Sequence, residues 1–129
     1  MKSHREVKNR IFPKASAFKY AWKGIALLFV SQLNARFHLL AACVVIIAGF
    51  MLGLSPAEWV LIILTIAMVI SAEAFNSAIE MLVDEWSPDY KQSAGKIKDL
   101  AAGAVLITAI AAALIGLIIF IPKLYFLFF

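Results

Sequence analysis

Glu73, Asn76, Ser77, Glu80 and Asp84 recur at the i, i+3, i+4, i+7 spacing of an α-helix inside a strongly apolar stretch. At 100° per residue the five fall within about 100° of arc and form one polar stripe. A charged side chain at the bilayer centre costs roughly 2.5–3.5 kcal/mol on insertion scales, so carboxylates in a membrane segment mark a pathway or a reaction. A lone Asn or Ser there reads as a helix-packing hydrogen bond. Three carboxylates repel one another unless a cation lies between them, and ammonium and metal are both candidates. Lys91, Lys96 and Lys98-Asp99 follow at once in the chain. Mg²⁺ is typically held by one or two carboxylates plus substrate phosphates, while ammonium groups suit phosphate itself. The chemistry this combination suits is phosphoryl transfer from Mg²⁺·ATP to an acceptor resident in the membrane.

The elements that must position this stripe are membrane helices. With 64% hydrophobic and 16% charged residues and a mean hydropathy of +0.92, 129 residues cannot bury their apolar surface within themselves. The composition predicts a single all-α integral membrane domain over 1–129 with three transmembrane helices, at about 37–54, 56–84 and 97–121. A cytoplasmic loop is expected at 85–96. Between the first two spans, Gly53-Leu54-Ser55-Pro56-Ala57-Glu58 combines a helix stop, an N-cap serine, proline at the first helical position and glutamate three after the cap. Roughly 28 residues in the second helix make about 42 Å, more than ~30 Å of hydrocarbon needs, so its far end protrudes. Glu73 is then expected about one turn inside the interface, and Glu80 and Asp84 outside it.

Ahead of these spans, Phe18, Ala21, Trp22, Ile25, Leu28 and Phe29 recur at helical spacing, with Lys14, Lys19 and Lys23 on the other side. This predicts an amphipathic helix at about 14–34 lying in the interface, its lysines serving either anionic lipid or the site. Lysines and arginines crowd the chain before the first span and the segment between the second and third, with only Lys123 on the opposite side. The N-terminus and the stripe's polar end are therefore expected in the cytoplasm. The first 23 residues are basic and polar, with no apolar core of a cleavable signal, and the single cysteine, Cys43, can close no intrachain disulfide.

Nucleotide-binding glycine motifs are absent: Gly95-Lys96 is followed by isoleucine and lacks the upstream glycine of a P-loop. Gly49-x-x-x-Gly53 is a candidate helix-packing motif, and the small residues of the third span, among them Gly103, Ala104, Ala112 and Gly116, favour self-association. No nucleic-acid partner is expected. Two other classes stand beside the kinase reading. A small proton-coupled transporter would need its carboxylates near the midplane and open to both sides, and a purely structural subunit leaves the polar stripe unexplained.

Two strings carry a more specific signal. Glu73-Ala-Phe-Asn76-Ser77-Ala78-Ile79-Glu80-x-x-Val83-Asp84, followed by Ser93-Ala-Gly95-Lys96-Ile-Lys98-Asp99-x-Ala101-Ala102-Gly103-Ala104-Val105-Leu106, closely resembles the small prokaryotic diacylglycerol kinase family, which includes the undecaprenol kinases. The resemblance extends upstream to Trp22-Lys23-Gly24 and Asn34-x-Arg36-x-His38 and covers about residues 18–121. It implies a homotrimer in the bacterial inner membrane, with active sites shared between protomers. It also implies that Glu73 is the catalytic base for the lipid hydroxyl and that Glu80 holds Mg²⁺ on ATP. Asn76, Lys98 and Asp99, with Tyr20, Asp89 and Lys91, would serve the nucleotide, and Trp22 and Asn34 the lipid. The chain departs from the family pattern at Gln32, where a second metal-ligating glutamate is common, and at Lys91, where histidine is common. A carboxamide oxygen still ligates Mg²⁺ but brings no charge. The acceptor implied is diacylglycerol, with undecaprenol as the alternative.

Overall fold

The computed structural model describes residues 14–89 and 91–128, which form four α-helices: α1 Lys14–Ser31, α2 Leu33–Met51, α3 Pro56–Trp86 and α4 Gln92–Phe128. Helices α2, α3 and α4 are each long and apolar enough to cross a membrane. Their outward faces carry Phe37, Leu40, Val44, Ile63, Ile107 and Leu114, all exposed, an arrangement that lipid rather than water accommodates. The protein is an integral membrane protein.

The α2–α3 reversal follows from its sequence. Gly53 takes φ 64, the left-handed conformation that glycine adopts without strain. Ser55 caps α3 by accepting from the Glu58 amide, Glu58 Oε2 accepts from the Ser55 amide at 2.7 Å, and Pro56 opens the helix where no N–H is required. Beside this turn Lys123 Nζ of α4 lies 3.1 Å from Glu58 Oε2. The buried cluster Leu54, Ile62 and Ile119 sits at the same end, with Trp59 packed against it. The two glycines of the G-x-x-x-G string do separate jobs. Gly53 makes the turn, while Gly49 admits the Trp59 ring so closely that a Cβ there would lie 2.9 Å from the indole.

Several element boundaries differ from the sequence expectation. Helix α1 stops at Ser31 rather than continuing to 34, because Gln32 is extended at φ −109, ψ 117. Arg36 then donates to the free carbonyls of Phe29 (2.8 Å from Nε) and Val30 at the end of α1, fixing the elbow. Helix α2 begins at Leu33, four residues before the apolar stretch, since Asn34 and Arg36 break hydropathy but not backbone hydrogen bonding. Helix α4 starts at Gln92 and runs through Pro122 to Phe128, not 97–121. A proline removes one donor and is tolerated in apolar helices whose neighbours compensate. The 85–96 loop accordingly shrinks to 87–91, with α3 extending to Trp86. On α1 Leu28 is buried and Phe29 partly covered, and Phe18, Trp22 and Ile25 stay exposed as Lys19 and Lys23 do.

Candidate active site

Helix α3 carries the stripe past three neighbours, and burial falls steadily along it. Glu73 is 2% exposed, Asn76 and Ser77 are buried, Glu80 is half-buried and Asp84 is exposed. Gly24, Leu28 and Ser31 of α1 face Ala74, Ser77 and Ala78 across a cleft. Packing between α3 and α4 is the most extensive in the molecule and brings Lys98 alongside the stripe.

The polar contacts run in sequence along the helix. His38 Nε2 of α2 lies 3.3 Å from Glu73 Oε1, with the imidazole 27% exposed. Ser77 Oγ donates to the Glu73 carbonyl at 2.8 Å, which satisfies the hydroxyl on its own helix. Asn76 Nδ2 donates to Glu80 Oε1 at 3.1 Å, and Asn76 Oδ1 is buried without a partner. At the exposed end Lys98 Nζ donates to Asp84 Oδ1 at 2.9 Å. The stripe therefore starts at a buried carboxylate beside an imidazole and finishes at an exposed ion pair.

A different kind of space lies near each end, at the buried end by way of His38. A cavity of about 100 Å³ lies between α2, α3 and α4, lined by His38, Ala42, Ile66, Val69, Ala112 and Gly116 among others. His38 and Thr65 are the polar side chains of that lining, and Thr65 donates to Leu61 of its own helix at 2.6 Å. At the far end Asp84, Asp89, Lys91 and Lys98 line a depression beside the 87–91 loop. Hydrocarbon suits the first space and polyphosphate the second.

Not every residue singled out from the sequence joins the stripe within one protomer. Trp22 and Asn34 are exposed, Gln32 is half-buried and makes no capping bond, and Lys23 lies over the Tyr20 ring at 5.6 Å. Asp99 lines a separate groove on α4 with Lys96, Gly103 and Ala104, away from its neighbour Lys98. His38 is the site residue to which sequence reasoning gave no role. Its signal was a histidine one turn beyond Asn34 in a helix already entering the apolar region.

Among the described residues no group of three His, Cys, Asp or Glu side chains is set to hold a metal alone. The donors present still fit Mg²⁺, which takes few protein ligands and completes its shell with phosphate and water. Glu80 supplies a carboxylate, and the unpartnered Asn76 Oδ1 beside it is a hard oxygen left to be satisfied.

Fold and site together define a small helical membrane enzyme with a graded acidic stripe at one end. The model of the prokaryotic diacylglycerol kinase family matches residues 19–120. An undecaprenol kinase of Bacillus subtilis (strain 168) is 42% identical over 123 residues, covering 95% of this chain and 98% of that protein. A diacylglycerol kinase of Synechocystis sp. is 38% identical over 84% of this chain and 62% of its own length, and one of Escherichia coli (strain K12) is 31% identical over 72% and 76%. The chain belongs to the prokaryotic diacylglycerol kinase family and is a membrane lipid kinase.

Proposed function

We propose that the chain is an ATP- and Mg²⁺-dependent lipid kinase acting at the cytoplasmic face of the bacterial inner membrane. The observation that carries this reading is the gradient along α3, from buried Glu73, whose neighbour His38 lines an apolar cavity, to exposed Asp84 paired with Lys98. A lipid alcohol keeps its tail in hydrocarbon and its hydroxyl near the interface, whereas ATP arrives from water. Seven residues of helix separate Glu73 from Glu80 by about 10 Å, which divides an acceptor subsite from a nucleotide subsite.

In this reading the hydroxyl proton passes to the Glu73 carboxylate as the lipid oxygen bonds the γ-phosphorus. The bond from that phosphorus to the bridging oxygen breaks, and ADP leaves. Such a base contributes typically 10²- to 10⁴-fold. Glu80 and Asn76 would hold Mg²⁺, with Gln32 a further candidate ligand, and the bound ion would neutralise charge on the β- and γ-phosphates. Lys98, Lys91 and Asp89 stand where the polyphosphate would lie, and Tyr20 and Asp99 are nucleotide contacts implied by the family resemblance. Trp22 and Asn34 are assigned to the lipid on the same ground.

Shared sites and a homotrimer are part of the proposal. Only Ala101 and Ile119 of α4 are buried, so most of that helix has no cover within one protomer. Asp99 and Lys96 face a groove apart from their own stripe, which suits service to a neighbouring one. Helix α1, with Trp22 and Ile25 exposed beside Lys19 and Lys23, is assigned to the cytoplasmic interface.

For the acceptor the balance moves from diacylglycerol to undecaprenol. The 42% identical relative that matches this chain nearly end to end is named for undecaprenol. The cavity beside His38 is lined almost wholly by apolar side chains, and its one hydroxyl is already bonded. A polyprenol carries its hydroxyl directly on hydrocarbon, while the esters of diacylglycerol need polar partners or water. Diacylglycerol remains the second reading, favoured by the names of the Synechocystis and Escherichia coli relatives. Transfer of ³²P from ATP by the purified protein, with undecaprenol and dioleoylglycerol supplied separately, tests both. Faster labelling of undecaprenol is expected; faster labelling of dioleoylglycerol selects the second reading, and label on neither lipid overturns the kinase.

A further inference from the structure

We propose that His38 is a positioning residue that holds one oxygen of Glu73 and turns the other toward the acceptor hydroxyl. The proposal rests on the reading of Glu73 as general base. A side chain as buried as Glu73, 3% exposed, needs a polar partner, and three rotatable bonds leave its carboxylate undirected without one. The nearby donors are otherwise engaged. Asn76 Nδ2 is given to Glu80, Ser77 Oγ to the Glu73 carbonyl, and the Arg36 guanidinium to the carbonyls of Phe29 and Val30. His38 Nε2, 3.3 Å from Oε1, is the group that reaches the carboxylate.

The imidazole also lines the apolar cavity, so it stands between the carboxylate and the space assigned to the lipid chain. Its chemistry suits that place. A neutral imidazole N–H orients a carboxylate without the fixed positive charge of lysine or arginine, and Glu73 stays able to take up a proton. Oε1 is held by Nε2, leaving Oε2 as the oxygen that accepts the hydroxyl proton. His38 keeps its own proton throughout while the lipid oxygen–phosphorus bond forms and the bond to ADP breaks. The 3.3 Å separation is long for such a contact, and catalytic contacts commonly tighten when substrate closes a site.

Glutamine and asparagine separate positioning from packing, because a glutamine amide nitrogen reaches about as far as Nε2 and an asparagine amide only as far as Nδ1. The full chain would be assayed in detergent with Mg²⁺·ATP and whichever lipid the unaltered protein phosphorylates better, beside Glu73→Gln. His38→Asn is expected to lower kcat about 10- to 100-fold, the scale of a 1 Å misplacement, with KM for ATP within about twofold. His38→Gln is expected to restore most of that loss, and nucleotide binding by each variant reports its folding. If His38→Asn keeps full kcat, or His38→Gln is no better than His38→Asn, the positioning role is overturned, and the general-base reading survives provided Glu73→Gln is inactive. If Glu73→Gln keeps full turnover, the general-base reading and the positioning role fall together.

Discussion

Asp84 and Lys98 form an ion pair at the exposed end of the stripe, 2.9 Å apart, with side chains 66% and 37% exposed. Exposed pairs contribute little to folding, so the value of this one lies in where it holds an ammonium group. Lys98→Ala is predicted to leave the melting temperature in detergent unchanged while raising KM for ATP by roughly tenfold, the scale of one lost charge-assisted phosphate contact. A lowered melting temperature with unchanged KM would make Lys98 a structural residue. Gly49 is the opposite case, a residue whose role is packing alone. Adding a methyl group 2.9 Å from the Trp59 ring overpacks the α2–α3 contact, and Gly49→Ala is predicted to destabilise by about 1–3 kcal/mol in reversible detergent unfolding. Lipid phosphorylation by the folded fraction should persist, since the contact lies at the end away from Glu73.

The elbow between α1 and α2 depends on Arg36, whose guanidinium closes the carbonyls that α1 leaves open. Arg36→Ala is predicted to uncouple α1, seen as faster amide hydrogen exchange across 14–31 while α3 keeps its protection. Equal protection in both proteins would show that Leu28 and its cleft suffice. The elbow also marks how far sequence reasoning reaches. The capping box at Ser55 and Glu58 and the polar stripe from Glu73 to Asp84 were legible because each is set by spacing along one helix. The approach of Lys98 to Asp84 follows from a short loop between antiparallel helices, which leaves few alternatives. The His38–Glu73 contact was not legible, because it depends on how α2 crosses α3, and residues 35 apart in sequence carry no periodic signal of that angle. Helix ends were misjudged for a related reason. Hydropathy reports where lipid begins, whereas the helix follows backbone hydrogen bonds, which pass through Asn34, through Lys96 and Lys98, and across Pro122.

At the scale of the whole molecule, the groove of Lys96, Asp99, Gly103 and Ala104, set apart from the stripe of its own protomer, is the feature that one protomer does not explain. If three copies complete one another's sites, with Asp99 reaching a neighbour's stripe, two inactive variants should rescue each other. Glu73→Gln and Asp99→Asn, each inactive alone, are predicted to regain part of the activity when co-assembled, because some mixed sites then carry both native residues. No recovery on mixing would confine the site to one protomer. Native mass spectrometry in detergent should give three chains per particle in the same preparations.

In the proposed function α3 divides the reaction, with Glu73 acting on the lipid hydroxyl and Glu80 serving Mg²⁺·ATP. The most direct measurement compares Glu73→Gln and Glu80→Gln for ³²P transfer to lipid and, separately, for Mg²⁺-dependent ATP binding. Glu73→Gln is predicted to lose about 10²- to 10⁴-fold in kcat with ATP binding retained, and Glu80→Gln to lose Mg²⁺-dependent ATP binding itself. Full turnover by Glu73→Gln, or undiminished ATP binding by Glu80→Gln, would contradict it.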